Sequence, residues 1–240
     1  MKIAEQRTTE WQEIQQKIGL SSFTLKMIAI LTMTIDHMGF ILFPQALWMR
    51  GIGRLAFPIF CFTLTEGFSH THDLKRYIQR MLVVGLLSEI PFNLAESGQI
   101  FSIEHQNVFF TLLIGLLTMC IFRYIEKQDW KKGVRIISYI AALAVGMVVA
   151  EFLNTDYGAI GVLSIMILYM FRESKPRQIV AGCITFLWEI TAPLAFVPIG
   201  FYNGKRGLKM KYFFYIFYPA HLLVIYLVVV ALGMNGYSAV

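Results

Sequence analysis

The sequence has little charge. Asp, Glu, Lys and Arg make up 15% of its 240 residues, against about 25% in ordinary soluble domains. Hydrophobic residues make up 57%, more than one soluble core of this length could hide. Cysteine is scarce as well. Cys61, Cys120 and Cys183 lie far apart in apolar stretches, which excludes a disulfide scaffold and offers no zinc or redox spacing. They read as small core residues. No Gly/Ser/Pro-rich linker, low-complexity run or internal repeat divides the chain, so one domain is expected. No cleavable signal is expected either, because residues 1–21 are polar and the first apolar run is long enough to stay in a membrane.

Long apolar runs are what the sequence does have. They predict an all-α fold, a polytopic transmembrane helical bundle of about eight spans. The expected spans are Phe23–Phe43, Arg50–Ser69, Tyr77–Ala95, Val108–Tyr124, Ile136–Leu153, Ala159–Phe171, Ile179–Pro198 and Tyr212–Leu232. The sixth is too short to cross upright. The seventh contains Pro193 and ends at Pro198, which predicts a broken or re-entrant segment around 179–202 and makes nine segments an alternative. Residues 1–21 read as an amphipathic cytoplasmic segment with Trp11, Ile14 and Ile18 on one face. The bundle occupies 22–233, and 234–240 form a short tail.

The net charge of +6 reads as Lys and Arg held on the cytoplasmic side of a plasma membrane rather than as a nucleic-acid surface. Basic residues sit in the tail, the 2–3 loop, the 4–5 loop and the 6–7 loop, and the 3–4 and 5–6 loops have none. This places the N-terminus in the cytoplasm. One loop disagrees. Lys205, Arg206, Lys209 and Lys211 fall on the outer side if eight simple crossings are counted. Either the seventh segment doubles back or these charges bind something.

Ionisable groups inside a bilayer are costly, so they mark a site, a relay or a structural pair. The first span holds Lys26, Asp36 and His37, the second Arg54 and Glu66, and the third Glu89 followed by Asn93. Glu151 ends the fifth span, Glu189 sits in the seventh and His221 in the eighth. Lys26 and His37 are about 16 Å apart along a helix. The second span runs the opposite way, so depth alone pairs Lys26 with Glu66 and Asp36 with Arg54. The outer half then gathers Asp36, His37, Arg54, Glu89 and Asn93, with Glu151 and Asp156 at its rim. His37 can act as general base or be a satisfied buried histidine. Asp36 lies 100° round the helix from it, which leaves Glu89 as its candidate orienter. The histidines of Ser69–Asp73 read as a solvated loop, and no metal site is expected. Tyr202-Asn203-Gly204-Lys205-Arg206-Gly207 can expose backbone N–H groups beside two cations and suits an anion, or is an ordinary basic turn.

These stretches together resemble the TraX family of membrane proteins. The resemblance rests on Leu25–His37, Arg54-Leu55-Ala56-Phe57-Pro58-Ile59-Phe60, Glu66-Gly67 and Ser88-Glu89-Ile90-Pro91-Phe92-Asn93. It continues through Asn107-Val108-Phe109-Phe110-Thr111, Asp156-Tyr157-Gly158, Tyr202–Gly207 and Tyr218-Pro219-Ala220-His221. It implies an acetyltransferase-like membrane protein with acetyl-CoA as donor, in a family associated with acetylating the N-terminus of conjugative pilin. A more distant likeness, to membrane acyltransferases of glycans, is carried by the eleven-residue spacing of a basic residue and a histidine, here Lys26 and His37, with Lys in place of Arg. On this reading His37 is the base, with Asp36 and Glu89 as its catalytic partners. Lys26, Arg54, Tyr202, Asn203, Lys205 and Arg206 would bind acyl-CoA. Asn93, Asn107, Asp156, Glu189 and His221 would face a pilin-like amine or a glycan acceptor. A proton-coupled transporter and a non-catalytic partner of a conjugation or secretion machine are the rival classes.

Overall fold

The computed structural model describes residues 19–233. Most of the expected 1–21 segment and the whole 234–240 tail lie outside those residues. The described chain is all-helical apart from two isolated bridges. In chain order the helices are α1 (Ser22–Ile41), α2 (Leu47–Gly53), α3 (Ala56–His70), α4 (Leu74–Ser97), α5 (Val108–Glu126), α6 (Lys132–Phe152) and α7 (Gly158–Met170). They are followed by α8 (Lys175–Thr185), a 3-10 turn (Ala192–Ala195), α9 (Phe196–Gly200) and α10 (Lys211–Ala231).

Five stretches are long and apolar enough to cross a membrane: α1, α2 with α3, α5, α6 and α10. The α4 helix has the length, at 24 residues, but carries more charge. The α7 helix has 13 residues, about 20 Å of rise. At the centre is α5, with 67% of its apolar window buried inside the protein, against 11% for the peripheral α6. Helix starts follow local chemistry. The side chains of Ser21, Asp73 and Asn107 accept from the backbone N–H groups of Thr24, Arg76 and Phe109, which satisfies donors the helix leaves free.

Short loops make consecutive segments alternate in direction, and hydrogen bonds tie the loops at each end. At one end Arg123 Nη2 donates to the Phe68 carbonyl at 3.0 Å and Arg172 meets Glu126 at 3.4 Å. At the other, Gln106 N donates to Asn154 O at 2.9 Å and Asp156 N to Gln106 O at 2.8 Å. Among the described residues every Lys and Arg lies at or toward the first end except Arg50 and Arg54. We call these the basic end and the far end.

The expected seventh span is a hairpin. Lys175 Nζ, at the start of α8, donates to the Tyr202 carbonyl just beyond α9. Both ends of the excursion are therefore together at the basic end. The chain enters along α8, turns through Phe186–Thr191 and returns through the 3-10 turn and α9. Pro193 sits in the first turn of that 3-10 segment, where its missing N–H costs nothing. The next loop is then stitched to the start of α1. Leu20 N donates to Phe201 O at 2.8 Å, Ser22 N to Lys205 O at 2.9 Å and Phe23 N to Arg206 O at 3.0 Å. Gly207 takes a φ of +72°, and a Cβ there would strike Ser21. The four discordant cations thus share an end with the N-terminus of the first helix, and the conflict in the loop charges disappears.

Candidate functional site

The site in the far half starts from two helices that meet closely. Gly53 lies against Asp36, and any side chain at position 53 would collide with that carboxylate. This contact brings α2 against the end of α1. Arg50 Nη1 then donates to Asp36 Oδ2 at 2.9 Å. The expected Asp36–Arg54 pair is therefore replaced by Asp36–Arg50. The second span is not one continuous rod. It breaks at Arg54–Leu55, and the break turns Arg54 toward the tip of the α8–α9 hairpin. Arg54 Nη1 meets Glu189 Oε1 at 3.2 Å and bonds the Tyr157 hydroxyl. Thr191 of the same tip donates to Gly51 O at 2.7 Å. Asp36 Oδ1 is buried and has no hydrogen-bond partner among the described residues.

His37 faces α10. Its Nδ1 lies 2.7 Å from His221 Nε2, and His221 Nδ1 lies 3.0 Å from the Phe217 carbonyl. The second contact assigns the protons. A carbonyl only accepts, so His221 carries its hydrogen on Nδ1 and presents a lone pair at Nε2. His37 must then donate from Nδ1, which leaves Nε2 as its basic nitrogen. Glu89 is not the partner of His37. Its Oε1 accepts from the Asn107 backbone N–H at 3.1 Å and from the Asn107 side chain. That amide also donates to Gly85 O at 2.9 Å, so Glu89 and Asn107 lock α4 to the start of α5. Depth arithmetic gives a level but no azimuth, which is why both pairings of Asp36 and His37 changed.

A cavity of ≈ 130 Å³ opens here, lined by Asp36, His37, Arg50, Arg54, Glu96, His105, Asp156, Tyr157 and Tyr218 among others. Of the expected residues it brings together Asp36, His37, Arg54 and Asp156, with Glu189 and His221 directly behind them. Asn93 is buried beside Phe92, and its Oδ1 is unpartnered among the described residues. Five lining residues were not anticipated: Arg50, Glu96, His105, Tyr157 and Tyr218. Tyr157 carries a signal in hindsight. It is a non-glycine residue at φ +66°, a conformation that costs about 1–3 kcal/mol, and its ring stacks on Phe57 at 3.7 Å. His105 Nδ1 is 3.0 Å from Glu96 Oε1, and that hydrogen bond raises the histidine above its ordinary value. Burial pushes the Asp156 carboxyl up to about 6.

A second cavity, of ≈ 100 Å³, lies on the basic side of the first. Met33, Phe60, Val108 and Tyr218 line both, so the two chambers are separated by one layer of side chains. Lys26 and Lys211 line the second chamber at the basic end. Lys26 does not pair with Glu66. It lies over the Phe214 ring at 5.8 Å, and Arg206 is close enough to act on its charge. Glu66 is turned to the other side of α3, where it bonds the Tyr202 hydroxyl and faces Lys175. Tyr202 is buried against Phe62. Asn203 Nδ2 donates to Gly19 O at 2.7 Å, and its Oδ1 accepts from Lys205 N at 2.9 Å. These two residues pin the turn, and the Arg206 charge is what the turn brings toward Lys26.

Comparison with known proteins settles the ancestry of this arrangement. The family model described as TraX protein matches residues 21–229. The chain belongs to the TraX family. It is 27% identical to the probable fimbrial assembly protein FimC, serogroup H1, of Dichelobacter nodosus, over 88% of this chain and 97% of that one. It is 25% identical to protein TraX of Escherichia coli, over 64% of this chain and 57% of that protein. An uncharacterized protein of Rickettsia prowazekii is 25% identical over 75% of this chain and 68% of its own length. No solved structure matches. The TraX-family membership and the apolar helices identify a multi-pass membrane protein.

Proposed function

We propose that this TraX-family chain is an acetyltransferase that carries an acyl group from acetyl-CoA at the basic end to an amine at the far end, with His37 as general base. The observation that carries the reading is the position of the His37–His221 pair. His37 lines the far chamber with His221 directly behind it, one side-chain layer from a chamber lined by Lys26 and Lys211. Lys and Arg concentrate on the cytoplasmic side of membrane proteins, so the basic end is read as cytoplasmic. That places acetyl-CoA where the cell keeps it.

The residues fit such a donor. Lys26, Arg206 and Lys211 suit phosphates, and the chamber beneath them is mostly apolar and narrow, as a slender pantetheine arm requires. The Lys26–His37 rise of about 16 Å is comparable to that arm. Lysine binds phosphate as a point charge rather than as a fork. At the far end Asp156 and Glu96 favour a cationic acceptor, which argues for an amine over a glycan hydroxyl. Glu89 and Asn107 act as positioning groups that fix the floor on which the acceptor rests.

The acceptor ammonium first gives one proton to solvent, and His37 Nε2 takes a second from the neutral nitrogen as that nitrogen bonds the acyl carbon. The C–S bond then breaks, and the imidazolium returns the proton to the leaving sulfur. His221 holds the tautomer this needs, as a carboxylate does in a catalytic triad. Arg50 and Arg54 supply positive potential where the oxyanion develops. The Dichelobacter relative, by its name a probable fimbrial assembly protein, fits an acceptor that is a pilus or fimbrial subunit, and the family association with pilin acetylation points the same way. The test is labelled acetyl-CoA with a peptide amine and purified protein. His37→Ala is expected to lose about 10²–10⁴-fold in rate. Equal labelling by both forms would remove His37 from the chemistry.

A further inference from the structure

A groove on the outside of the bundle, between α4 and α10, belongs to neither chamber. It encloses ≈ 480 Å³. Arg76, Arg80, Val83, Val84 and Leu87 line it from α4, spaced so that they form one stripe along the helix. Ile216 and Pro219 line it from α10. The stripe is cationic at the basic end and apolar below, and Arg80 and Leu87 are about 10 Å apart along the helix. Val83, Leu87 and Ile216 are 52%, 66% and 65% exposed, so the groove faces outward. In a membrane protein that outside is lipid.

The arginines are only partly satisfied. Arg76 Nε meets Asp73 of its own helix at 3.0 Å. Arg80 lies over the Tyr77 ring at 5.9 Å and bonds the Tyr215 hydroxyl. Its Nε is buried and has no hydrogen-bond partner among the described residues. A buried donor left unpaired costs free energy, and hydrocarbon cannot pair it.

We propose that this groove is a binding site for one anionic phospholipid. The phosphate sits between Arg76 and Arg80 and bonds the outer N–H groups of their guanidiniums, which draws the Arg80 head out so that its Nε–H gains a partner, and one acyl chain follows Val83 and Leu87. Charge complementarity selects the headgroup, since each arginine near the surface favours an anionic lipid. Tyr215 lines both this groove and the inner chamber that holds Lys26. The lipid therefore presses on one wall of that chamber.

The experiment is native mass spectrometry of the full chain in detergent, with phosphatidylglycerol, phosphatidylcholine and free glycerol phosphate as probes. Retention of phosphatidylglycerol about tenfold above phosphatidylcholine is expected, with no displacement by glycerol phosphate. Arg76→Gln with Arg80→Gln should erase the preference. Leu87→Trp keeps both arginines and fills the apolar floor, so it should lower phosphatidylglycerol retention about tenfold even if the arginine variant fails to fold. Equal retention of the two lipids, displacement by the free headgroup, or undiminished retention by the Leu87 variant would overturn the proposal.

Discussion

The two ends of the bundle are built from opposite charges. The basic end carries nearly all the described Lys and Arg, most of them in loops and at helix ends. The far end gathers Asp36, Glu89, Glu96, Asp156 and Glu189, with only Arg50 and Arg54 against them. At the basic end the charge fixes topology and needs little geometry. At the far end it is enclosed and specified atom by atom, through Asp36–Arg50, Arg54–Glu189 and Glu89–Asn107. The lesson is that charge at the two ends means different things. Solvated charge reports orientation, whereas enclosed charge that is paired across five separate segments reports a site.

The contrast can be broken at its joint first. His221→Ala removes the acceptor that fixes the His37 proton, and should lower kcat about 10–100-fold, as losing an orienting partner does elsewhere. The KM for donor should not move. His221→Gln retains an acceptor oxygen and should recover part of the rate, which a purely structural role would not predict. A smaller effect is expected at the basic end. Lys26→Gln with Arg206→Gln should raise the KM for acyl-CoA about tenfold, the scale of one charged hydrogen bond, and leave kcat unchanged. Steady-state kinetics separate the two cases.

The smallest effect is in the pH profile. Asp156 holds its proton up to about pH 6. It becomes an anion only above that value, so kcat/KM for an amine acceptor should climb through about pH 6 and lose this limb in Asp156→Asn. Stability carries a second sign. His105 is raised by Glu96, so their pair stabilises fully below the ordinary histidine range and is lost as pH rises through the higher value His105 has in the fold. Melting temperature should fall on that alkaline side, and His105→Gln should flatten the fall.

Much of this was legible before any coordinates. Apolar run lengths located most of the helices, because a bilayer dictates them. The spacing of Lys26 and His37 gave their depth, since helical rise is fixed. The loop charges also exposed their own contradiction at Lys205–Lys211, which the α8–α9 hairpin resolves. What was not legible was azimuth. Whether Glu89 or His221 meets His37 depends on helix rotation, which packing sets and no one-dimensional period records. The break at Arg54–Leu55 did carry a signal: Gly51, Gly53 and Pro58 surround it, and Pro58 has no N–H to offer the Arg54 carbonyl four residues earlier. Glu96, in the last turn of α4, and His105, in the loop after it, were not singled out, because the Gln106–Asn154 and Asp156–Gln106 bonds that hold that loop at the cavity join residues far apart in sequence.

Sidedness tests the central claim most directly. The full chain can be placed in vesicles of one orientation, with labelled acetyl-CoA on one face and a peptide amine on the other. The account predicts acetylated peptide only when the donor is on the face of the α1 N-terminus and the acceptor is opposite, and none with His37→Ala. Product formed equally with donor and acceptor on one face would contradict it.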